Sequence, residues 1–519
     1  MGACESAKNN QNIQRHGTYK SDKERVTLKY FPENKNKNKN NGLILNNDVL
    51  VSDTGKNPLQ VYQKIELLGE GAFGQVWKVR HKLTGKEFAM KIIEKNPKCN
   101  DKLLINEINI LKRLDHPNIL KILEFHTTQD KCYIITQYCP EGELYNEIKQ
   151  GKIFTESQTA YVIYQLLSAI RYCHKMRVMH EDIKPENIMI MNRDENDLLK
   201  IKLIDFGTAK IFKEGNLQKG IVGSAYYIAP EVINGNYDEQ CDVWSIGVIM
   251  YIMLTGSPPF DGRDDDSILK HVSSGKYGTS SKNYKNLSNN AKDLIAKLLE
   301  YDSSKRITAR NALSHPWFKS NEFNEVYHGK NNLEINDIHS MLKNLENCKN
   351  DNIIKTAALA YLIHQNTEII QCQNAIKLFN IIDLNHDGKI EPYELDQAFI
   401  KYYQITLNEA KIIRRKIFEN IDIDNNGYIE SEEFIRGCIN PRLFNSENFI
   451  KYAFDYFDVE GNEYISVDQV QKKFLQSSKN NSSAAKRELK QLFQKIDSNR
   501  DGYISFEEFS QMIKNIINN

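Results

Sequence analysis

The sequence lacks most of the features that would classify a chain at a glance. Its nine cysteines include no C-x-x-C pair, which indicates neither a zinc ribbon nor a disulfide framework and leaves a reducing, intracellular compartment as the expectation. It has no surplus of either charge: 69 Lys+Arg face 68 Asp+Glu, a net +1. That balance argues against a uniformly basic nucleic-acid binder and against an acidic disordered chain. Long hydrophobic runs are missing too; VWSIGVIMYIML (Val243–Leu254) is too short to span a bilayer and carries Trp and Ser. The first residues contain no apolar h-region, so no secretory signal is expected. What is present, over 519 residues, is 40% hydrophobic and 26% charged, the make-up of globular domains with real cores. At roughly 150 residues per domain, that length predicts three or four domains.

Residues 1–60 are polar and contain the low-complexity run NKNKNKNNG (Asn34–Gly42). Such a segment buries too little apolar surface to offset its ordering entropy, so a disordered arm is expected. Residues 61–318 carry dense alternating and helical apolar patterns, as in a two-lobed enzyme domain. A junction follows over 319–366, where Ile335, Ile338, Met341, Leu342 and Leu345 form one helical stripe. A second stripe holds Ile353, Ile354, Ala357, Ala358, Tyr361 and Leu362. The remainder is an internal repeat: Asp383, Asp422, Asp458 and Asp497 open four similar segments, 39, 36 and 39 residues apart. Phe379, Phe418, Phe454 and Phe493 precede them at one offset, and Ile390, Ile429, Ile465 and Ile504 follow at another. The first-to-third and second-to-fourth spacings are both 75, so a pair has been duplicated, over 367–440 and 441–519.

The segment LGEGAFGQVWKVRH (Leu68–His81) holds Gly69, Gly71 and Gly74 in a G-x-G-x-x-G arrangement. The rival reading is a dinucleotide-binding turn. Here the glycines lie between two strand-like runs, so the loop is a strand–turn–strand flap whose backbone N–H groups can approach phosphates. Lys91 in FAMK and Glu107 on a following helical segment could then clamp a nucleotide. Further along come MHEDIKPENIMI with Asp182, Lys184 and Asn187, LIDFGTAK with Asp205, Phe206 and Gly207, and YYIAPEV with Ala229, Pro230 and Glu231. In this order, over about 255 residues, the set resembles the protein-kinase signature.

That resemblance implies a nucleotide pocket bordered by Leu68, Gly69, Gly71, Gly74, Val76, Lys91 and Glu107, with Thr136 guarding its back and Gln137–Cys139 as the hinge. It implies ATP as the phosphoryl donor. Asp182 orients the substrate hydroxyl, Lys184 neutralises the transferred group, and Asn187 and Asp205 hold Mg²⁺. Lys184 in this loop is the serine/threonine rather than the tyrosine pattern. Glu143, at the edge of the site, and Glu186 match acids that meet basic residues upstream of the target hydroxyl. Asp242, Trp244 and Arg306, the last paired with Glu231, match positions that stabilise the large lobe.

One residue departs from the family. The usual H-R-D reads His180-Glu181-Asp182, an acid where an arginine normally meets an activation-loop phosphate. Between Gly207 and Gly223 the loop offers only Thr208, and Ser224 falls where the family's substrate-contacting Thr lies rather than at the usual phosphosite. Loop phosphorylation is therefore not expected to be the switch, and Glu181 is expected to pair with Lys210, Lys213 or Lys219. The same departure motivates the alternative of a calcium-regulated pseudokinase scaffold.

The repeats carry calcium chemistry. Loop 1, DLNHDGKIEPYE, supplies Asp383, Asn385, Asp387, the Lys389 carbonyl, Glu391 and Glu394 at positions 1, 3, 5, 7, 9 and 12, with Gly388 at the turn. Loop 2 supplies Asp422, Asp424, Asn426, Tyr428, Glu430 and Glu433, and loop 4 supplies Asp497, Asn499, Asp501, Tyr503, Ser505 and Glu508. This is EF-hand spacing, in which alternating oxygens wrap the ion and the last glutamate gives two. Loop 3 has Glu463 at the turn and Gln469 at position 12, so three Ca²⁺ sites are expected and the third loop is expected to serve as a structural partner of the fourth.

Kinase, junction and four EF-hands in this order resemble the calcium-dependent protein kinases of plants, ciliates and apicomplexan parasites. The implied fold is α+β: a two-lobed protein kinase fold followed by an all-α calmodulin-like domain of two EF-hand pairs. The resemblance also implies that the junction inhibits the calcium-free kinase and that calcium makes the EF-hand lobes seize it; Lys343, Lys349 and Lys355 are candidates for blocking the cleft. The N-terminus MGACES fits the N-myristoylation pattern through Gly2 and Ser6, Cys4 offers a palmitate site, and Lys8, Arg15, Lys20, Lys23 and Arg25 follow. The expected partners are protein substrates with basic residues upstream of the target Ser or Thr and a membrane surface, with no nucleic acid, for a cytoplasmic monomer held peripherally on a membrane by N-terminal acylation. The net charge of +1 thus conceals unlike parts: residues 1–40 carry nine Lys+Arg against four Asp+Glu, and residues 380–519 eighteen against twenty-three.

Overall fold

The computed structural model describes residues 50–51, 53, 57–71, 74–95, 101–319, 333–349, 353–367, 369–423, 425–475 and 483–518. Gly2, Cys4, Ser6 and the basic residues after them lie outside the described residues.

The small lobe is built on a five-stranded antiparallel sheet of β1 (Tyr62–Gly71), β2 (Gly74–His81), β3 (Glu87–Glu94), β4 (Ile122–Thr127) and β5 (Lys131–Gln137), in the order β1-β2-β3-β5-β4. Period-two alternation decides which face each residue takes. On β3, Phe88, Met90 and Ile92 are buried among Tyr62, Val79, Leu123, Tyr133 and Ile135, while Lys91 falls on the opposite face. Helix α1 (Asp101–Leu111) carries Glu107. Described residues lie on the arm side of the boundary expected at residue 60. Leu50 and Val51 are buried, and the Asp53 carboxylate accepts hydrogen bonds from the Thr127 N–H and hydroxyl at the end of β4. The short apolar pair and one acid give this piece enough contacts to pack.

The large lobe is helical: α2 (Leu144–Lys149), α3 (Glu156–Lys175), α4 (Pro230–Ile233), α5 (Gln240–Thr255), α6 (Asp265–Ser274), α7 (Lys282–Asn286), α8 (Asn289–Leu298) and α9 (Ala309–Leu313). Thr155 and Gln158 close a capping box at the start of α3, fixing where the helix begins. Every residue of α5 is buried, so the most apolar run in the sequence is the core helix of this lobe, apolar all round because no face meets water. Arg306, buried, donates to both Glu231 oxygens, at 2.5 and 2.9 Å, and braces the start of α4.

Two junction helices follow, α10 (Ile335–Asn347) and α11 (Ile353–Gln365). Ile338, Met341, Leu342 and Leu345 are buried as their spacing predicts, whereas Ile335, at the helix start, is exposed. Four helix–loop–helix units complete the chain: α12 (Ile370–Ile382) with α13 (Pro392–Tyr403), α14 (Leu407–Ile421) with α15 (Ser431–Cys438), α16 (Glu447–Phe457) with α17 (Val467–Leu475), and α18 (Ser483–Ile496) with α19 (Phe506–Asn518). The loops pair two by two through the isoleucines that mark the repeat. Ile390 and Ile429 exchange backbone hydrogen bonds at 2.9 and 3.0 Å, and Ile465 pairs with Ile504. Helix α10 packs on α13, α14 and α15, while α11 packs on α15, α16 and α18. The apolar stripes of the junction are therefore covered by the EF-hand helices. No helix among the described residues is long and apolar enough to cross a membrane.

Candidate active site and calcium loops

The glycine flap is the β1–β2 hairpin, with Glu70 opposite Gln75 and Gly71 opposite Gly74. Gly74 has φ +127°, and a Cβ there would sit 2.1 Å from the Ile92 carbonyl oxygen. Only glycine lets the flap lie this close on β3. Leu68 and Gly69 are on β1, Val76 is on β2, and Val76 is paired with Lys91 of β3. Lys91 Nζ lies 3.3 Å from Glu107 Oε1, so α1 is swung in against the sheet. Burial raises the Glu107 carboxyl above its ordinary value, opposed by Lys91. Thr136 is on β5 opposite Ala89.

The segment between α3 and β-paired Ile188–Arg193 carries Asp182, Lys184 and Asn187. Its frame is Asp242 of α5, a buried carboxylate that accepts the backbone N–H groups of His180 (3.0 Å) and Glu181 (2.9 Å) and also contacts His174 at 2.9 Å. Burial would raise the Asp242 carboxyl, but His174 and His180 bring it below the ordinary value. On this frame Asp182 is surrounded by three groups. Lys184 Nζ donates to Oδ2 at 2.7 Å, the Ser224 hydroxyl donates to Oδ1 at 3.1 Å, and Asn187 Nδ2 donates to the Asp182 carbonyl oxygen at 2.8 Å. Lys184 also reaches Ser224 at 3.2 Å. Asp205 is exposed, with φ +62°, and its Oδ1 accepts the Gly207 N–H at 3.2 Å. The set brings a carboxylate, an ammonium and a hydroxyl-bearing loop together at one point. That geometry can orient an incoming hydroxyl and neutralise charge on a phosphoryl group. The Asn187 amide nitrogen is committed to Asp182, which leaves its oxygen, with the exposed Asp205 carboxylate, as an oxygen donor set suited to Mg²⁺.

Glu181 pairs with Lys210, of the three lysines considered, at 3.0 Å. Tyr237 closes the triangle: its hydroxyl accepts from Lys210 at 3.0 Å and donates to Glu181 at 3.0 Å. Tyr237 carried no sequence signal, because it lies on a two-residue strand 56 positions away in the chain. Glu143 and Glu186 lie near one another: burial, then the Glu186 charge, raises the Glu143 carboxyl, and Glu186 Oε2 is buried without a hydrogen bond. Two acids crowded like this favour a cationic visitor.

The EF-hand loops are folded around their first aspartate. Asp383 accepts the N–H groups of Asp387 (3.0 Å) and Gly388 (2.8 Å), and Asp422 accepts those of Asn426 and Gly427, both at 3.0 Å. Asp497 accepts Gly502 N–H at 3.0 Å. The closing glutamates cap the exiting helices: Glu394 accepts from Asn385 and Glu391, Glu433 from Ile423 and Glu430, and Glu508 from Ser498 and Ser505. The Lys389, Tyr428 and Tyr503 amides are held by Asp387, Asn426 and Asp501, which sets the backbone at position 7. Asp424 lies outside the described residues. Burial, then the Asp387 charge, pushes the Asp383 carboxyl up to about 8. Among the described residues no three His, Cys, Asp or Glu side chains converge by themselves as a metal cage. The loops offer mixed sets in which carboxamide and carbonyl oxygens share the work, as Ca²⁺ accepts. Loop 3 differs. Glu463 takes the turn at φ +67°, and the Gln469 amide points to Asp458 Oδ1 at 3.5 Å, so an amide nitrogen stands where another loop has a carboxylate.

A third site was invisible in the sequence. Glu124 on β4 is partly buried and its Oε1 accepts three tyrosine hydroxyls: Tyr62 of the sheet (2.8 Å), Tyr361 of α11 (3.1 Å) and Tyr452 of α16 (3.2 Å). Beside it, His364 of α11 contacts both the Ile122 carbonyl (2.9 Å) and Glu432 of α15, and Lys121 bonds Asp115 (2.9 Å) and Glu432. The junction and the second EF-hand pair thus meet the small lobe on β4, and the first pair meets it through Glu432 at Asp115 and Lys121, just before that strand. The helices bearing Lys343 and Lys355 pack on EF-hand helices.

A protein kinase domain model matches residues 62–318, and an EF-hand domain pair model matches 373–439 and again 447–514. Calcium-dependent protein kinase 4 of Plasmodium falciparum is 38% identical over 471 residues, covering 88% of this chain and 87% of that protein. Calcium-dependent protein kinase 4 of Plasmodium berghei is 37% identical over the same length and shares. Calcium-dependent protein kinase 5 of Plasmodium falciparum is 36% identical over 451 residues, 86% of this chain and 77% of that protein.

Proposed function

The chain belongs to the calcium-dependent protein kinase family, and on that premise we propose which side chains carry the transfer and how calcium reaches them. It is a calcium-regulated serine/threonine protein kinase acting on protein substrates. In the proposal, Lys91, held by Glu107, contacts the ATP phosphates. Asp182 accepts the hydrogen bond of the substrate Ser or Thr hydroxyl, and Lys184 faces the departing γ-phosphoryl group. Bound Mg²⁺ would supply charge neutralisation on the phosphates, held by Asn187 and Asp205. Glu143 and Glu186 would select substrates with basic residues upstream of the target. The observation that carries this reading is the web of Lys184, Ser224 and Asn187 around Asp182 together with the closed Lys91–Glu107 pair. The scaffold alternative rested on Glu181, and the Lys210–Tyr237 triangle gives that residue a structural role compatible with catalysis.

Calcium control would act through α10 and α11. With their apolar faces in the EF-hand lobes and α11 docked on β4, the junction is engaged away from the catalytic loop; without calcium it would be released to obstruct the cleft. Loops 1, 2 and 4 would bind Ca²⁺, and loop 3 would act through its strand pairing with loop 4. Shifting an off:on ratio from 99:1 to 1:99 takes about 5.5 kcal/mol, roughly 1.8 kcal/mol per site over three sites, within sensor affinities. The arm would anchor the kinase by myristate on Gly2 and palmitate on Cys4 with its basic residues; Gly2→Ala should move the protein out of the membrane fraction. Phosphate transfer to a basic serine peptide, assayed in calcium and in chelator, tests the whole reading.

A further inference from the structure

The first calcium loop does not stand apart from the kinase: it sits on helix α3. Arg171 Nη2 donates to Asn385 Oδ1 at 3.2 Å, and Lys175 Nζ donates to Asp387 Oδ2 and lies 3.3 Å from Glu391 Oε1. The Tyr164 ring meets His386 edge-on at 5.6 Å. A Cβ at Gly388 would come within 2.8 Å of both Tyr172 and His116, so the turn of the loop lies directly on the kinase surface.

The oxygens involved are the ones an ion would use. Asp387 Oδ1 already accepts the Lys389 N–H at 3.1 Å, as position 5 does inside these loops, which leaves Oδ2 to face the ion. Oδ2 is the oxygen on Lys175. Asn385 has a single side-chain oxygen, and Arg171 holds it. In loop 4, by contrast, Asn499 Oδ1 and Asp501 Oδ1 accept backbone N–H groups of the loop itself, and Asp501 Oδ2 accepts Asn499 Nδ2. Asp387 is nearly fully buried, so its pairing with Lys175 is screened little by solvent.

We propose that Lys175 and Arg171 set the calcium affinity of loop 1: they occupy ligand oxygens that the ion would take, so calcium binding to loop 1 and docking of loop 1 on α3 oppose each other. The proposal rests on reading loop 1 as a calcium site. Reciprocity follows from linkage, since whatever factor the contact subtracts from calcium affinity, calcium subtracts from the contact. Loop 1 would thus fill at higher calcium than its donor set alone would give, and its filling would loosen loop 1 from Lys175 and Arg171.

The test is calcium calorimetry on the full-length chain. Glu394→Gln first checks the underlying reading, because it should remove one binding site. Lys175→Met should tighten one site about tenfold, within the usual range of such couplings, while Lys175→Arg should stay near wild type. In the Glu394→Gln background, Lys175→Met should change nothing. An unchanged or weakened affinity in Lys175→Met would overturn the proposal, as would equal tightening in the Glu394→Gln background. Should Lys175→Met not fold, Arg171→Gln is read by the same two criteria.

Discussion

The Glu181 carboxylate lies 3.0 Å from the Lys210 ammonium, and the Tyr237 hydroxyl bridges the two. The loop carrying Asp182 is thereby tied to Lys210 and to the short strand at Tyr237, by a charge pair opposite in sign to the arginine–phosphate contact that the family resemblance implies at this position. The Glu181 side chain is fully shielded from solvent. Removing Lys210 alone therefore leaves an uncompensated buried acid, the costly way to break such a pair. Lys210→Met should lower kcat/KM by about tenfold or more, equivalent to about 1.4 kcal/mol, and the double variant Glu181→Gln/Lys210→Met should recover most of it. Phosphatase treatment of the wild type should leave activity unchanged. A Glu181→Lys variant with raised basal activity and intact calcium response would contradict this role.

Loop 3 should stay empty of calcium. Its turn is held by Glu463 at φ +67°, where glycine costs least, and its twelfth position presents an amide. Native mass spectrometry in calcium should count three ions per chain. The double variant Glu463→Gly/Gln469→Glu should raise the count to four.

Acid should undock the junction from β4. Burial favours the neutral form of Glu432, yet His364 and Lys121 hold its carboxyl at about 2; Glu124 is held at about 2 against its burial by His126 and the Tyr62 hydroxyl. Both folded values lie below the ordinary glutamate value of about 4.3. The stabilisation is therefore present above that value and is lost as pH falls toward 2. Limited proteolysis between residues 319 and 366 should accelerate over this window, and Glu432→Gln should flatten the dependence while weakening docking at neutral pH.

The machinery in the cleft was legible because kinase chemistry fixes residue types at fixed offsets, and so do calcium loops. Lys91, Asp182, Lys184, Asn187 and Asp205 announce themselves by neighbours in the chain, and the isoleucines of the repeat emerge as the rungs joining paired loops. The β4 docking site had no such signature. Glu124 and Tyr452 are 328 positions apart and His364 and Ile122 are 242 apart; a partly buried acid collecting hydroxyls from three segments leaves no periodicity to read. The same holds for Lys175 on Asp387, where an ordinary-looking helix lysine meets a ligand oxygen. Ile335 shows the opposite failure: it fits the apolar stripe but lies exposed at the helix start.

Tyr361 should be the residue through which the small lobe senses the EF-hands. Its hydroxyl reaches Glu124, and its ring stacks on Tyr456 of α16 at 4.1 Å. Tyr361→Ala should leave calcium stoichiometry unchanged while raising the calcium concentration for half-activation about tenfold or more, the 1–3 kcal/mol range typical of allosteric coupling. Titrating activity and binding on the same preparation checks it.

The central claim is that calcium governs phosphoryl transfer centred on Asp182. The direct measurement is transfer of labelled γ-phosphate to a basic serine peptide by the full-length chain, in calcium and in chelator, with Asp182→Asn as the control. The account predicts transfer in calcium, loss of it in chelator, and a fall of about 10²–10⁴-fold in Asp182→Asn. Equal transfer in both conditions, or none in either, would contradict it.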